Sequence, residues 1–313
     1  MSNESLTSID APQPAENPSQ GSHRGSSLNY RGVERARNAW LRSIWAIFRS
    51  NIRTILRYRA FWAIMTLSML HFFVHYVLIY VKAQIRMEGG WFADVIDDFQ
   101  VTGNGKGFFS FLAQQSNAVI VMLAYASSVM VASDYSAGGI VFYLSKPIGK
   151  LHWVSGKVLS LMAVVSFQTL IPAMILYIEA GVYSPSVWDY WKDNWKIAVS
   201  ILGYSLVIMT VLSTIALAVG VFCRRTAPLV MIWGAIVLVL PAFAEMLDTI
   251  LDNPNWMLMH IPRNCRLVGR WFFDLLTEDN RSQVIYAVAI LAGAVAVSVG
   301  VLVNKLRPVE VVS

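Results

Sequence analysis

Charge and cysteine are the scarce materials of this 313-residue sequence. Only 14% of its residues are Asp, Glu, Lys or Arg, whereas a soluble domain usually carries about a quarter. With 56% hydrophobic residues, that shortage excludes an ordinary water-soluble domain and makes chain length a poor guide to domain count. The two cysteines, Cys223 and Cys265, fall on opposite sides of the membrane in the topology that the charges dictate, which argues against a disulfide. No Cys/His cluster has the spacing of a zinc site, so no metal ligand is nominated. The phosphate-binding pattern G-x-x-x-x-G-K-[ST] is also missing, because the Gly-Lys pairs lack the right upstream glycine or the following Ser or Thr. There is no Ser/His arrangement, no intramembrane Asp pair and no His-Glu-x-x-His, so an intramembrane enzyme is disfavoured and no catalytic residue is assigned. The first 30 residues lack an apolar core and a cleavage-type site, so they do not read as a signal peptide. Rich in Ser, Pro, Asn, Gln and Gly, they read as a disordered tail, residues 1–30.

What the sequence has in abundance is long apolar runs. Crossing ~30 Å of hydrocarbon takes roughly 20 mostly apolar residues per helix. Six stretches qualify, at about Phe61–Val81, Leu112–Ser133, Val158–Tyr177, Ile197–Phe222, Ala227–Leu247 and Val284–Val303. The expected fold class is therefore an all-α polytopic membrane protein with six transmembrane helices. Its permease-like bundle occupies residues 60–305, and a short tail follows at 306–313. An even number of spans puts both termini on one side. That side, which includes the 134–157 connection, the 223–228 turn and both termini, collects sixteen of the 25 Lys and Arg but only six of the 19 acids. By the positive-inside bias it is cytoplasmic. The expected location is the inner (cytoplasmic) cell membrane, multi-pass. The tight turn "CRRTAP" makes the fourth and fifth spans an antiparallel hairpin, and Pro228 suits the first turn of the fifth.

Residues 34–59 read as an amphipathic helix lying in the membrane interface. At 100° per residue, Trp40, Leu41, Ile44, Phe48, Ile52 and Ile55 share a broad apolar face, and Arg42, Arg49, Arg53 and Arg57 gather opposite. Those arginines can meet anionic headgroups, each worth roughly 1 kcal/mol near the surface. Lipid accounts for them better than nucleic acid does, and no nucleic-acid partner is expected.

The connection between the second and third spans is the most informative stretch. A plain linker would be short and polar, yet residues 134–157 place Ile140, Val141, Phe142, Tyr143 and Leu144 between Gly138–Gly139 and Pro147, with Lys146 and Lys150 at the rim. Apolar groups edged by charge mark a docking surface, the alternative being a re-entrant or interfacial segment that simply lies on the bilayer. Asp134, then Gly138 and Gly139, then "YLSKPIGK" over 143–150, then Gly156 and Lys157 resemble the corresponding segment of the integral membrane permeases of type-2 ABC exporters. The resemblance extends over residues 36 to 305, including the six spans, the inside termini and the basic helix ahead of the first span. It implies that 134–157 is a coupling segment seated in a cleft of a cytoplasmic ATPase, with the apolar side chains as anchor and the lysines for register and steering. It also implies a dimer of permease subunits, identical or paired with a homologue, and a separate ABC ATPase that carries ATP and Mg²⁺. This chain itself is expected to bind no cofactor. The competing reading is a membrane anchor that uses the same loop to hold a cytoplasmic complex without transport.

Polar residues inside spans are costly and normally face the protein interior. His71 and His75, one turn apart in the first span, and Gln168 in the middle of the third are the candidates for a pathway or for hydrogen bonds between helices. Gln114, Gln115 and Asn117 lie toward the outer end of the second span. Pro172 and Pro241 are expected to kink the third and fifth spans. Glu179 and Glu245 read as interfacial acids. The segment "NWMLMHIPRNCRLVGRWFFDLL", with Trp256, Trp271, Phe272 and Phe273 among arginines, reads as a short helix at the outer interface.

Overall fold

The computed structural model describes residues 36–88, 103–136, 150–223 and 226–305. Among them all regular structure is helical, and six helical stretches are long and apolar enough to span a bilayer: Arg59–Gln84, Gly105–Val131, Lys150–Val182, Val187–Phe222, Pro228–Leu251 and Gln283–Lys305. These are the six expected spans, but several run further than their apolar centres. The third opens at Lys150 rather than near Val158, and the fourth at Val187 rather than near Ile197. A helix does not stop where hydropathy falls, because its backbone groups still need their partners in the next turn.

In chain order, α1 (Ala36–Leu56) leads into the first span, α2 (Arg59–Glu88). The second span is α3 (Gly105–Ser136). The third is divided into α4 (Lys150–Gln168) and α5 (Leu170–Val182). The break between them follows from Pro172, which has no N–H to offer the carbonyl of Gln168 four residues back and whose ring crowds it. The fourth span is α6 (Val187–Phe222), with a non-helical residue at Asn194. The fifth combines α7 (Thr226–Gly234), a π-helical turn over Ala235–Val239, and α8 (Leu240–Leu251). There the wider turn lies just ahead of Pro241, as bulges of this kind do where the regular ladder is interrupted. A 3₁₀ turn (Pro254–Met259) then leads into α9 (Ile261–Phe272). The short α10 (Glu278–Arg281) precedes the sixth span, α11 (Gln283–Lys305).

The core forms around α6. Of its most apolar stretch, 78% is buried against other helices, compared with 17% for α2 and 22% for α11. Hence α6 is the hub, while α2 and α11 show broad apolar faces outward. The α1 helix, the α3 C-terminus and the α4 N-terminus share one side of the bundle, called here the near side. The segment between α8 and α11 lies on the far side.

Two helices take positions that the residue pattern did not indicate. In α1 the buried seam is Ile44, Ile47, Asn51 and Ile55, while Trp40 and Leu41 are 46% and 60% exposed. The broad apolar arc of this helix therefore divides into a narrow protein-facing ridge and a bare apolar flank, because only one ridge fits against α4. The seam closes at Gly156, where an added Cβ would stand 2.7 Å from Ile47 Cγ2. The second case is α9, expected at the interface but built into the bundle. Cys265, Leu267, Val268 and Phe273 are buried. Gly269 lies so close to Tyr204 of α6 that a Cβ would meet its ring at 2.6 Å, and Ser200 donates to the Phe272 carbonyl. Trp271, 54% exposed, keeps the outward position expected of an interfacial aromatic.

Candidate functional site

The near-side candidate begins where α3 ends. Asp134 falls in the last turn of α3. Gly138, Gly139, Phe142, Tyr143, Leu144, Lys146 and Pro147 lie outside the described residues. Lys150 is the first residue of α4, so the stretch from 150 to 157 is helix rather than loop.

Lys157 itself, counted in the sequence among the basic residues of the cytoplasmic side, is 1% exposed. Its Nζ donates to the Met130 carbonyl of α3 at 2.7 Å and to Asn51 Oδ1 of α1 at 3.1 Å. It also stands 5.3 Å from the centre of the Trp153 ring, close enough for a cation–π contribution. One turn on, Ser160 donates to the Gly156 carbonyl at 2.7 Å and faces the Phe48 carbonyl at 3.4 Å. Gly156 and Ser160 are thus the small residues that let α1 and α4 cross closely, and a buried ammonium joins α1, α3 and α4 beside that crossing. The available signal was a glycine and a serine four apart, flanking a lysine inside an apolar run. Such a lysine must find acceptors within the protein.

Around this node the arginines of α1 point away. Arg42, Arg49, Arg53 and Arg57 are all exposed, on the side opposite the buried seam. The exposed Leu41, Trp45 and Leu56 separate seam from arginines on one flank. The helix therefore offers protein-facing, apolar and cationic sides, an arrangement suited to the edge of a bilayer.

Mid-span, α2 and α3 share a polar cluster. His71 Nδ1 donates to Gln115 Oε1 at 2.8 Å, and Gln115 Nε2 donates to Ser68 Oγ at 2.7 Å. The other His71 nitrogen faces the Gln114 amide at 3.1 Å, and Gln114 Nε2 donates to Ser110 Oγ at 3.1 Å. His75 Nδ1 donates to the His71 carbonyl at 3.0 Å. The His71 ring stacks on Phe111, with planes 2° apart. Gln168 does not join this group. It is fully buried at the α4–α5 break, and neither of its amide atoms has a hydrogen-bond partner. Glu179, expected at the interface, is instead 7% exposed, with neither carboxyl oxygen bonded, because α5 packs closely on α6 where Gly181 meets Trp191.

The far side carries a third polar feature, which the sequence reading assigned to anchoring. Arg263, Arg266 and Arg270 follow one another at spacings of three and four along α9 and so share a side of it. Arg266 Nη2 donates to Asn117 Oδ1 of α3 at 3.4 Å, and Arg263 Nη2 donates to Gln283 Oε1 of α11 at 3.3 Å. Arg270 lies 5.9 Å from the centre of the Phe109 ring. None of the three forms an ion pair with a described residue. Burial, with a smaller contribution from Arg270, lowers the Arg263 pKa from its usual value, and Asp248 partly opposes this. At the start of α9, His260 Nδ1 accepts a bond from the Arg263 amide at 3.1 Å. Burial first, and then Arg266, lower the His260 pKa. Cys265 is enclosed in the same helix, and burial raises its thiol to about 12.

Comparison with known protein families matches residues 45–262 to a model described as ABC-2 family transporter protein. The matched stretch includes most of α1, both flanks of the near-side node and the first five spans. No curated protein matches the chain.

Proposed function

The chain belongs to the ABC-2 transporter family, and on that premise we propose that it is the permease subunit of an ATP-driven exporter whose ATPase is a separate polypeptide. Membrane subunits of this family work with an ATPase subunit in general; the finer reading concerns how this chain meets its own. Coupling passes through residues 134–157, on the side that the Lys/Arg bias assigns to the cytoplasm. ATP and Mg²⁺ belong to the partner, since this sequence carries no phosphate-binding loop. A second permease, identical or homologous, completes the unit and covers part of the apolar surface left open by α2 and α11.

The observation that carries this reading is the Lys157 node. A docking segment transmits force only if its flanks are tied to the rest of the bundle. Here the helices that enter and leave residues 137–149 are bonded to each other, and to α1, through one buried ammonium. Movement imposed on that connection reaches three elements at once.

Phe142→Ala and Leu144→Ala should each remove an anchor, at a cost of about 2 kcal/mol when the anchor is a hot spot. Lys146→Glu and Lys150→Glu should mainly slow association and change its salt dependence. The measurement is the ATPase retained when each variant is purified from membranes. Retention at the wild-type level in the Phe142→Ala, Leu144→Ala double variant would end the coupling assignment.

A further inference from the structure

We infer that the far-side half of the bundle carries a recognition face for an anionic group, phosphate or carboxylate, on the transported molecule, formed by Arg266 and Arg270 of α9 with Gln114 and Asn117 of α3. The inference rests on the transporter reading and gives it a substrate class.

Placement is the first argument. Gln114 and Asn117 are exposed on α3, and they lie nine and twelve residues inward from Gly105, where the span begins. At ~1.5 Å per residue they stand about 14 and 18 Å along the helix, well inside a hydrocarbon layer of ~30 Å. Gln114 bonds to His71 and Ser110 and Asn117 accepts from Arg266, yet both side chains keep exposed surface at a depth where an amide turned to lipid costs several kcal/mol. This face of α3 is therefore built to meet polar matter, as a route for solute does.

Charge is the second. Arg266 gives one N–H to Asn117, while its Nε is buried without a partner. The Arg270 side chain is exposed, lies over Phe109 and makes no hydrogen bond with a described residue. Arg263 is different, since it is turned to Gln283 as part of the packing. No described carboxylate pairs with any of them. The exposed Arg270 fork, on the same side of α9 as an Arg266 guanidinium held by Asn117, suits an oxyanion. Neighbouring apolar helices lower the local dielectric and strengthen the attraction.

The test uses the full chain in detergent with equimolar phosphatidylglycerol and phosphatidylcholine, and counts retained lipids by native mass spectrometry. The α1 arginines attract anionic lipid on their own, so every comparison is made in a chain that already carries Arg42→Gln, Arg49→Gln and Arg53→Gln. In that chain we expect at least a tenfold preference for phosphatidylglycerol. Arg266→Gln with Arg270→Gln should bring it close to unity, while Arg266→Lys should keep part of it. Arg270→Gln alone removes only an exposed group, so a reduced preference in that variant, at an unchanged thermal midpoint, separates recognition from misfolding. Inorganic phosphate is added as competitor. If it displaces the lipid, the face reads the oxyanion alone, and if it does not, the face reads a lipid-borne headgroup; either result supports the proposal. Equal retention of the two lipids before the α9 substitutions, or an unchanged preference after them, would overturn it. ATPase retention is measured on the same samples. Its loss would count against the transporter reading, whereas lost anion preference with the ATPase still bound is confined to this face.

Discussion

The near-side lysine and the far-side arginines make an instructive pair. Both place cations in a mostly apolar bundle, and no arginine of α9 forms an ion pair with a described carboxylate. Lys157 is 1% exposed, with neutral acceptors from two other helices drawn tightly around it. Arg270 keeps its donors at a surface, beside an Arg266 that is only partly buried. A buried cation whose bonds go to other helices fixes their geometry, because breaking it leaves polar groups without water or partner. A cation with free donors at a surface fixes little and can accept a ligand. The first is a structural joint, the second a binding face.

The largest expected effect tests that contrast directly. Lys157→Ala should destabilise the protein by about 3 kcal/mol, from lost charged hydrogen bonds, orphaned acceptors and a cavity. Arg270→Gln should change stability by less than about 0.5 kcal/mol. Reversible unfolding in mixed micelles with increasing dodecyl sulfate measures both. A double-mutant cycle of Lys157→Ala with Asn51→Ala should show coupling of about 1–2 kcal/mol. Equal costs on the two sides, or an additive cycle, would erase the distinction between joint and face.

A smaller effect sharpens the near-side half of the comparison. Gly156→Ala places a methyl 2.7 Å from Ile47 Cγ2 and 3.3 Å from the Ile44 carbonyl. It should push α1 outward at a cost of about 1–3 kcal/mol. Ile47→Ala opens room for that methyl, so the double variant should be less destabilised than the sum of the singles. The same unfolding assay reads it, and strict additivity would mean that α1 does not rest on Gly156 as the packing implies.

The smallest effect concerns the far side and is set by pH. Burial and Arg266 hold His260 below its usual pKa of 6.5, so the unfolded chain takes up the proton more readily than the folded one. The cap at the start of α9 is then at full strength at and above that usual value and weakens as pH falls below it. Because His260 is only half-buried, the change should stay below about 1 kcal/mol. Hydrogen exchange at the Arg263 amide, corrected for intrinsic rate, should quicken as pH falls from 7.5 to 5.5. In His260→Asn, which caps without titrating, that trend should be flat.

Legibility differed from element to element for physical reasons. The six spans could be read because twenty apolar residues in a row have few other uses. The two proline breaks could be read because a missing N–H acts locally. The α1 seam was half legible: a helical wheel places Ile44 and Ile55 together, but it cannot say that Leu41 is left bare while Trp40 stays 46% exposed beside His152 of α4. The joint made by Lys157 was not legible because charge counting treats every lysine near a span end alike. The α9 arginines were misread because aromatic residues among arginines look the same whether a helix lies on the membrane or is packed into it.

By itself, then, the sequence determined that this is a six-span helical membrane protein, which helices break, which side is basic, and that the connection after the second span departs from a plain linker. Each of these follows from composition and short-range spacing along one helix. Only the tertiary structure decided that Lys157 joins α1, α3 and α4, that α9 sits against Tyr204 and α11, and that Arg266 reaches Asn117, 149 residues away in sequence. Those facts depend on which helices lie side by side. That is settled by small residues such as Gly156 and Gly269 at crossings, whose partners no local pattern names.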